Sequence, residues 1–426
     1  MPGRSFIERI VGSLAGGMAQ RGRVRRADRL VGVLRTLISE RGEATGAALA
    51  RRAAALYAGL DAEGREHLFG RLARDFAPDR DAVLKAAVDY HKDPSPEHLA
   101  ALQRASEPPR QEVFRRMNMA PNGTSMLLEL RRELAVAVRK HPELAAVDND
   151  LAHLLGSWFN RGFLELKRID WNTPAAILEK LIKYEAVHRI DGFPDLKRRL
   201  ERDRRCLAFF HPALPGEPLI FVEVAFVDEL PTEVGPILAM DSAVGDARRT
   251  KCAVFYSITS CQPGLRGISF GNFLIKQVAE DLHAELPNLK TFATLSPVPG
   301  LRAWVTQLLG EAQAGSATRD TLEGLAAWYL TREWAGGQAL DPVARFHLGN
   351  GARLERINWM ADPSPRGLEQ SFGVMVNYLY DLGDVERNHE AYMKRHHATA
   401  SPAVEKLAEA AQAAVENARA GRISVP

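Results

Sequence analysis

The chain has 426 residues, 46% of them hydrophobic, with a formal net charge of +3. That length suits two domains rather than one, and that apolar share supports sizeable cores. So small a charge gives no reason to expect nucleic acid as the partner, and three cysteines without zinc spacing exclude a disulfide framework or a structural zinc site.

The N-terminal stretch MPGRSFIERIVGSLAGGMAQRGRVRR is arginine-rich but contains Glu8, and transit peptides are poor in acids. It reads as an ordinary cytoplasmic N-terminus, with no run of apolar residues long enough to cross a bilayer. The basic clusters at 21–26 and 197–205 read as solvated helix faces, with a polyanionic ligand such as a nucleotide phosphate as the alternative.

From residue 27 to about 168 the pattern is helical. Leu30, Val31, Val33, Leu34, Leu37 and Ile38 form one stripe at helical period, and the segments 47–60, 63–76 and 80–92 repeat it. Breakers at 61–64, 77–79, 93–96 and 107–109 mark short loops. No strand signal stands out, so residues 1–168 are expected to form an all-α bundle serving as scaffold or oligomerisation domain.

After Arg168 the texture becomes α/β, giving a second domain over 169–426. Thr173 and Pro174 read as N-cap and first residue of a helix. Strands are expected at 206–211, 218–227, 252–258 and 291–295, with PGEP at 215–218 as a tight turn. A helix is expected over about 271–285, others near 301–310 and 321–334, a further strand at 353–360, and a last helix at 401–421 capped by Ser401.

Two stretches carry candidate chemistry. TFATLSPVPGL at 291–301 delivers Ser296 at the end of a strand; it lacks the G-x-S-x-G of a nucleophile elbow, and a serine before proline also suits a helix cap. DPVARFHLGNGA at 341–352 holds His347 before a glycine-rich turn, where a buried histidine satisfied by backbone is the plain alternative. Between the strand at 252–258 and the next helix lies a loop with Gly264, Arg266, Gly267 and Gly271. Glycines permit close backbone approach, and a helix N-terminus favours phosphate, so the loop suits a pyrophosphate. R-G-I-S-F-G at 266–271 resembles the loop by which GNAT acetyltransferases hold the coenzyme A pyrophosphate, with Ser269 in place of the middle glycine.

Taken together, PGEPL at 215–219, FYSI at 255–258, GLRGISFGNFLIK at 264–276, LSPVPG at 295–300, ALDPVARFHLGNGA at 339–352 and RINWMAD at 356–362 resemble the malonyl-CoA decarboxylase family, from about Arg168 to Leu382. The resemblance implies a helical N-terminal domain followed by an α/β (α+β) catalytic domain of GNAT-like fold. It implies conversion of malonyl-CoA to acetyl-CoA and carbon dioxide without metal or separate cofactor, coenzyme A being part of the substrate. It assigns Ser296 and His347 as the reacting pair, and a tyrosine in NYLY, Tyr380 by spacing with Tyr378 as the other candidate. It assigns Arg266, Gly267, Ile268, Ser269, Phe270, Gly271 and Asn272 to coenzyme A, and implies a homodimer or tetramer through the helical domain, with no nucleic acid and no membrane. Other members carry a glutamate against the histidine where this chain has Ser269, and a longer insertion where it has only 310–321. Rival expectations are a coenzyme A-dependent acyltransferase and an inactive acyl-CoA-binding protein.

Overall fold

In the computed structural model, the residues described are 24–40, 42–268 and 274–421. They fall into two units. Of these, the first holds the described residues up to Phe163 together with Pro212–Pro215 and 262–268, and the second holds Leu164–His211, Gly216–Cys261 and 274–421. The division lies slightly ahead of the 168 boundary expected, because Leu164 already leads into a strand.

The first unit is helical. Its helices are α1 (24–39), α2 (Glu43–Ala58), α3 (Ala62–Asp75), α4 (Arg80–Lys92), α5 (Pro96–Ser106), α6 (Pro109–Asn118), α7 (Gly123–Val138) and α8 (Ala145–Trp158). The stripe on α1 is buried at Leu30, Val31, Val33, Leu34 and Leu37. Asp61, Asp79 and Ser95 accept backbone N–H groups at the starts of α3, α4 and α5, which is why the breaker positions start helices. Gly264 packs so closely on α7 that a Cβ there would lie 2.2 Å from the Leu128 carbonyl, and Arg131 donates to the carbonyls of Gly264 at 2.8 Å and Arg266 at 2.9 Å.

The second unit is built on a mixed sheet of β1 (Glu165–Ile169), β2 (Arg204–Phe210), β3 (Ile220–Val227), β4 (Cys252–Ser260), β5 (Thr291–Thr294), β6 (Ser296–Pro297), β9 (Arg353–Asn358) and β10 (Met375–Leu379). A separate hairpin pairs β7 (Trp334–Ala335) with β8 (Gln338–Ala339). The main order is β1-β2-β3-β4-β5-β10-β6, with β9 also paired to β10. Every pair is antiparallel except β4 with β5, which run parallel and are joined through a loop and a crossover helix. The helices are α9 (Ala175–Tyr184), α10 (Phe193–Arg199), α11 (Gly235–Leu238), α12 (Leu274–Glu285), α13 (Leu301–Leu309), α14 (Glu311–Ser316), α15 (Arg319–Arg332), α16 (Pro342–Gly349), α17 (Pro365–Ser371), α18 (Val385–Arg395) and α19 (Pro402–Arg419). β2 is buried along its whole length and β3 nearly so, as strands covered on both faces are. Ile169, Leu178, Leu196, Cys206, Ala208 and Phe221 form one core cluster; Ala225, Ile237, Val254, Tyr256, Leu295 and Met375 belong to another.

The two-part architecture, helices then an α/β sheet, is as the sequence implied. Several details differ. β1 begins inside the stretch read as purely helical; ELKRI is a short, largely exposed edge strand with three charged residues among five, so its apolar signal is weak. β10 escaped notice as well. α9 starts one residue later than expected, with Pro174 before it and Thr173 accepting from the Asp170 N–H. The basic run at 197–205 is no solvated face. Arg198 pairs with Asp203, Arg199 with Asp195 and Glu223, and Arg205 with Glu285, and all three arginines are buried. In the other basic cluster Arg25 and Arg26 are exposed, and residues 21–23 lie outside the described residues.

α16 ends at the Gly349–Gly351 turn. Gly351 has φ +81°, and a Cβ on it would sit 2.0 Å from the Val385 carbonyl oxygen. Gly351→Ala is therefore expected to lower unfolding free energy by at least about 1–3 kcal/mol, read by denaturant titration. An unchanged midpoint would contradict this account of the turn. Among the described residues no helix is long and apolar enough to cross a membrane.

Candidate active site

β5 ends at Thr294 and β6 begins at Ser296, so both side chains leave the same side of an extended chain. Here the ladder is irregular. β10 pairs with β5 through Leu379 and Ala293 but with β6 through Val376 and Ser296, and its register with β9 shifts between Asn377 and Tyr378. Such breaks re-aim side chains and recur beside functional sites. Asn377 fills the gap, donating from Nδ2 to the Thr294 carbonyl at 2.8 Å, while the Tyr378 N–H donates to Thr294 Oγ1 at 3.2 Å. Ser296 thus belongs to a strand, not to a helix cap; the next helix, α13, starts at Leu301 with no side-chain cap.

His347 lies on α16, which forms because Asp341 caps it and Pro342 stands at its first position. The helix brings the imidazole to Ser296, and Ser296 Oγ is 3.1 Å from His347 Nε2. Ser296 Oγ donates to Thr294 Oγ1 at 2.8 Å. With its single proton so used, the serine accepts from Nε2–H, which assigns the tautomer. His347 Nδ1 then accepts from the Tyr380 hydroxyl at 2.8 Å. Tyr378, on β10 two residues before Tyr380, stacks on the imidazole with ring centres 4.5 Å apart and 25° between planes. Of the two tyrosine candidates, then, Tyr380 bonds the ring and Tyr378 packs on it. All five side chains are buried.

Burial has electrostatic consequences. It pushes the His347 pKa down to about 3, so the imidazole is neutral at pH 7 instead of poised near neutrality as a free histidine would be. It also raises the Tyr380 hydroxyl far above its ordinary range. His188, also buried, is pushed down to about 4. Since unfolded histidine titrates near about 6.5, each of the two groups adds stability that is complete above that value and is lost as pH falls towards the folded pKa. The expected slope is about 1.4 kcal/mol per pH unit for each histidine between pH 6 and 4. Thermal melts across pH 7 to 4 check this, and a flat Tm would refute it.

Ser296 and His347 line a cavity of about 240 Å³ together with Phe255, Ile258, Ile220, Val343, Phe346 and Pro342. Most of that wall is apolar, which suits a short acyl group whose charge is to be stripped of water. Of the residues expected to hold coenzyme A, Arg266 and Gly267 are exposed, Ile268 is half-buried, and Gly267 has φ +78°. Ser269, Phe270, Gly271 and Asn272, with the expected helix start at Gly271, lie outside the described residues. Sequence reasoning missed Thr294 and Asp341. The first is two residues before Ser296 in a run already read as a strand, and the second stands in an Asp-Pro pair that is a helix-start signature.

A buried serine, a neutral histidine and a tyrosine join in one hydrogen-bonded chain beside a largely apolar cavity, an arrangement chemically able to hold and pass a proton. The model of the malonyl-CoA decarboxylase C-terminal domain matches residues 162–317 and 309–418, and that of the N-terminal domain matches 76–159. Mitochondrial malonyl-CoA decarboxylase of Anser anser anser is 36% identical, covering 82% of this chain and 81% of that one. The Mus musculus protein of the same name is 34% identical, over 79% and 80%. Among solved structures, malonyl-CoA decarboxylase from Rhodopseudomonas palustris has a TM-score of 0.84 at 47% identity, covering 89% of this chain and 99% of that one. That from Agrobacterium vitis has 0.82 at 46% identity, over 89% and 99%. The chain belongs to the malonyl-CoA decarboxylase family, a family of carboxy-lyases.

Proposed function

We propose that this chain converts malonyl-CoA to acetyl-CoA and carbon dioxide, with Ser296, His347 and Tyr380 handling the proton. The observation that carries the reading is the continuous hydrogen-bonded path from Tyr380 through His347 to Ser296 at the floor of an apolar cavity.

Loss of carbon dioxide breaks the bond between the carboxylate carbon and the α-carbon, and leaves the electron pair on the α-carbon as a thioester enolate. One proton must then reach that carbon. In this reading the malonyl carboxylate enters the cavity beside Ser296 and His347, whose apolar surroundings weaken its hydration and favour its conversion to neutral carbon dioxide. The Ser296 hydroxyl turns from Thr294 to the α-carbon and gives up its proton. His347 Nε2–H replaces it, Tyr380 O–H steadies Nδ1, and solvent restores the missing proton. A neutral imidazole serves here because an enolate carbon is a stronger base than the conjugate base that either donor leaves. Charge growing on the thioester oxygen calls for hydrogen-bond donors, and we read the 266–272 loop only as the segment that holds the coenzyme A phosphates. Nothing in this sequence of steps calls for a metal or redox group.

The position that a glutamate fills in other members is Ser269 here, and the reading gives the orienting task to Tyr380 and Tyr378 instead. We also read the chain as a cytoplasmic homo-oligomer assembled through its helical unit; its free, buried cysteines at 206, 252 and 261 are compatible with a reducing compartment.

The test is acetyl-CoA formation from malonyl-CoA by purified protein, with no acceptor and no added metal. Turnover is expected, and kcat/KM is expected to stay level from pH 5.5 to 8 because His347 does not titrate there in the free enzyme. Acyl transfer only when an acceptor is present, or tight acyl-CoA binding without turnover, would replace this reading with one of its rivals.

A further inference from the structure

We infer that Asp341 is a positioning residue whose carboxylate clamps the turn after Ser296 to the helix that carries His347, fixing the distance between the two. The inference rests on the decarboxylase reading for its kinetic consequence, though not for its structural one.

Asp341 is fully buried. Its Oδ1 accepts from Val343 N–H and Ala344 N–H, each at 2.9 Å, and so closes the first turn of α16. Its Oδ2 faces the other way and accepts from Gly300 N–H at 3.4 Å. Gly300 ends the short proline-stiffened turn, Pro297 to Pro299, that leaves Ser296. One carboxylate therefore ties together two rigid segments, each delivering one member of the reacting pair. A cap alone would need only one oxygen, and serine or asparagine would serve; the second oxygen on Gly300 goes beyond capping. Gly300 is matched to the arrangement, because a Cβ there would come 2.2 Å from the Tyr329 hydroxyl and 3.6 Å from Asp341 Oδ2. Its φ is −93°, so the demand for glycine is one of space, not of backbone conformation. The negative charge also suits the N-terminus of α16. Without the clamp, the serine's turn and the histidine's helix are free to drift apart, and a misplacement of about 1 Å in a reacting group costs on the order of 10²-fold in rate.

The experiment uses the full chain with Asp341→Ala and Asp341→Asn, each alone and combined with His347→Ala. Asp341→Ala is expected to lower kcat by about 10²-fold while KM for malonyl-CoA and Kd for acetyl-CoA move less than about threefold. Asp341→Asn keeps an oxygen for the helix cap but loses the acceptor for Gly300, so an intermediate loss of about tenfold is expected. In the His347→Ala background neither change should lower kcat further, since a residue acting through the pair has nothing left to position. Imidazole nitrogen resonances from ¹⁵N-histidine protein, with His347 assigned by its disappearance in His347→Ala, report the ring without turnover. The wild type should hold a single Nε2–H tautomer and Asp341→Ala should average two.

An Asp341→Ala protein that keeps kcat within about threefold and keeps the single tautomer would overturn the inference. So would a loss of kcat of equal size with and without His347, which would mark general structural damage. If Asp341→Ala does not fold, the tautomer in Asp341→Asn decides, averaging supporting the clamp and an unchanged ring refuting it. A wild type that forms no acetyl-CoA would end the decarboxylase reading, and the resonances would still decide the clamp.

Discussion

Replacing His347 with alanine is expected to lower kcat for malonyl-CoA decarboxylation by about 10²–10⁴-fold, the range that a positioned proton donor contributes. Ser296→Ala should fall in the same range, because the proposed reading makes its hydroxyl the proton donor and His347 Nε2 lies 3.1 Å from it. The two losses should not add. The serine and histidine act as one path, so the double variant is expected to resemble the worse single variant. Tyr380→Phe removes the bond to Nδ1, freeing the imidazole to adopt the other tautomer, and a smaller loss follows. The imidazole is sandwiched against Tyr378 and lies 5.1 Å, centre to centre, from the Phe346 ring, so thermal melts must accompany the kinetics. Folded variants that keep kcat within about threefold of wild type would remove the pair from the reaction. Fully additive losses would break the single-path account.

The second large effect concerns stability. Arg199→Met should cost about 3–5 kcal/mol, since it strands a buried carboxylate. Glu223 is completely buried, and Arg199 donates to it at 2.8 Å while also holding Asp195 at 2.9 Å and the Arg189 carbonyl at 3.0 Å. Burial pushes the Glu223 carboxyl upward, towards its neutral form, and the Arg199 guanidinium opposes that push. Removing the guanidinium leaves burial unopposed. A drop in Tm on the order of 10 °C is expected for a unit of this size. The double replacement Arg199→Met with Glu223→Leu should recover much of the loss, because a buried pair exchanged for apolar side chains of similar volume is often neutral or stabilising. A single variant that loses under about 1 kcal/mol would show the pair to be dispensable.

The helical half was legible because its signals are local. Asp79 and Ser95 cap the helices they precede, and the apolar stripe at Leu30, Val33, Leu34 and Leu37 faces inward at the spacing of a helix. The runs at 206–211, 218–227, 252–258 and 291–295 became β2 to β5 because apolar residues in unbroken succession suit a strand covered on both faces. Ser401 caps the last helix, as its position before Pro402 implied. Each of these follows from residues within one or two turns of one another, and short-range propensity needs no partner.

Other features depend on residues far apart in the chain. Whether Ser296 caps a helix or closes a strand was settled by Val376, which pairs with it from β10. That Tyr378 stacks on the imidazole while Tyr380 bonds it follows from the place at which α16 sets the ring against that strand. The arginines at 198, 199 and 205 resembled a solvated face because their acids are spread from 195 to 285 and come together only in the folded sheet. The pKa of His347 is likewise a property of burial, not of its neighbours in sequence. The amino-acid sequence by itself determined most of the elements, the family and the candidate serine and histidine, through local periodicity, capping and ordered motifs. The tertiary structure decided strand register, charge pairing and the hydrogen bonds that join Tyr380, His347 and Ser296, because each is an interaction between segments that are distant along the chain and meet only when the core closes.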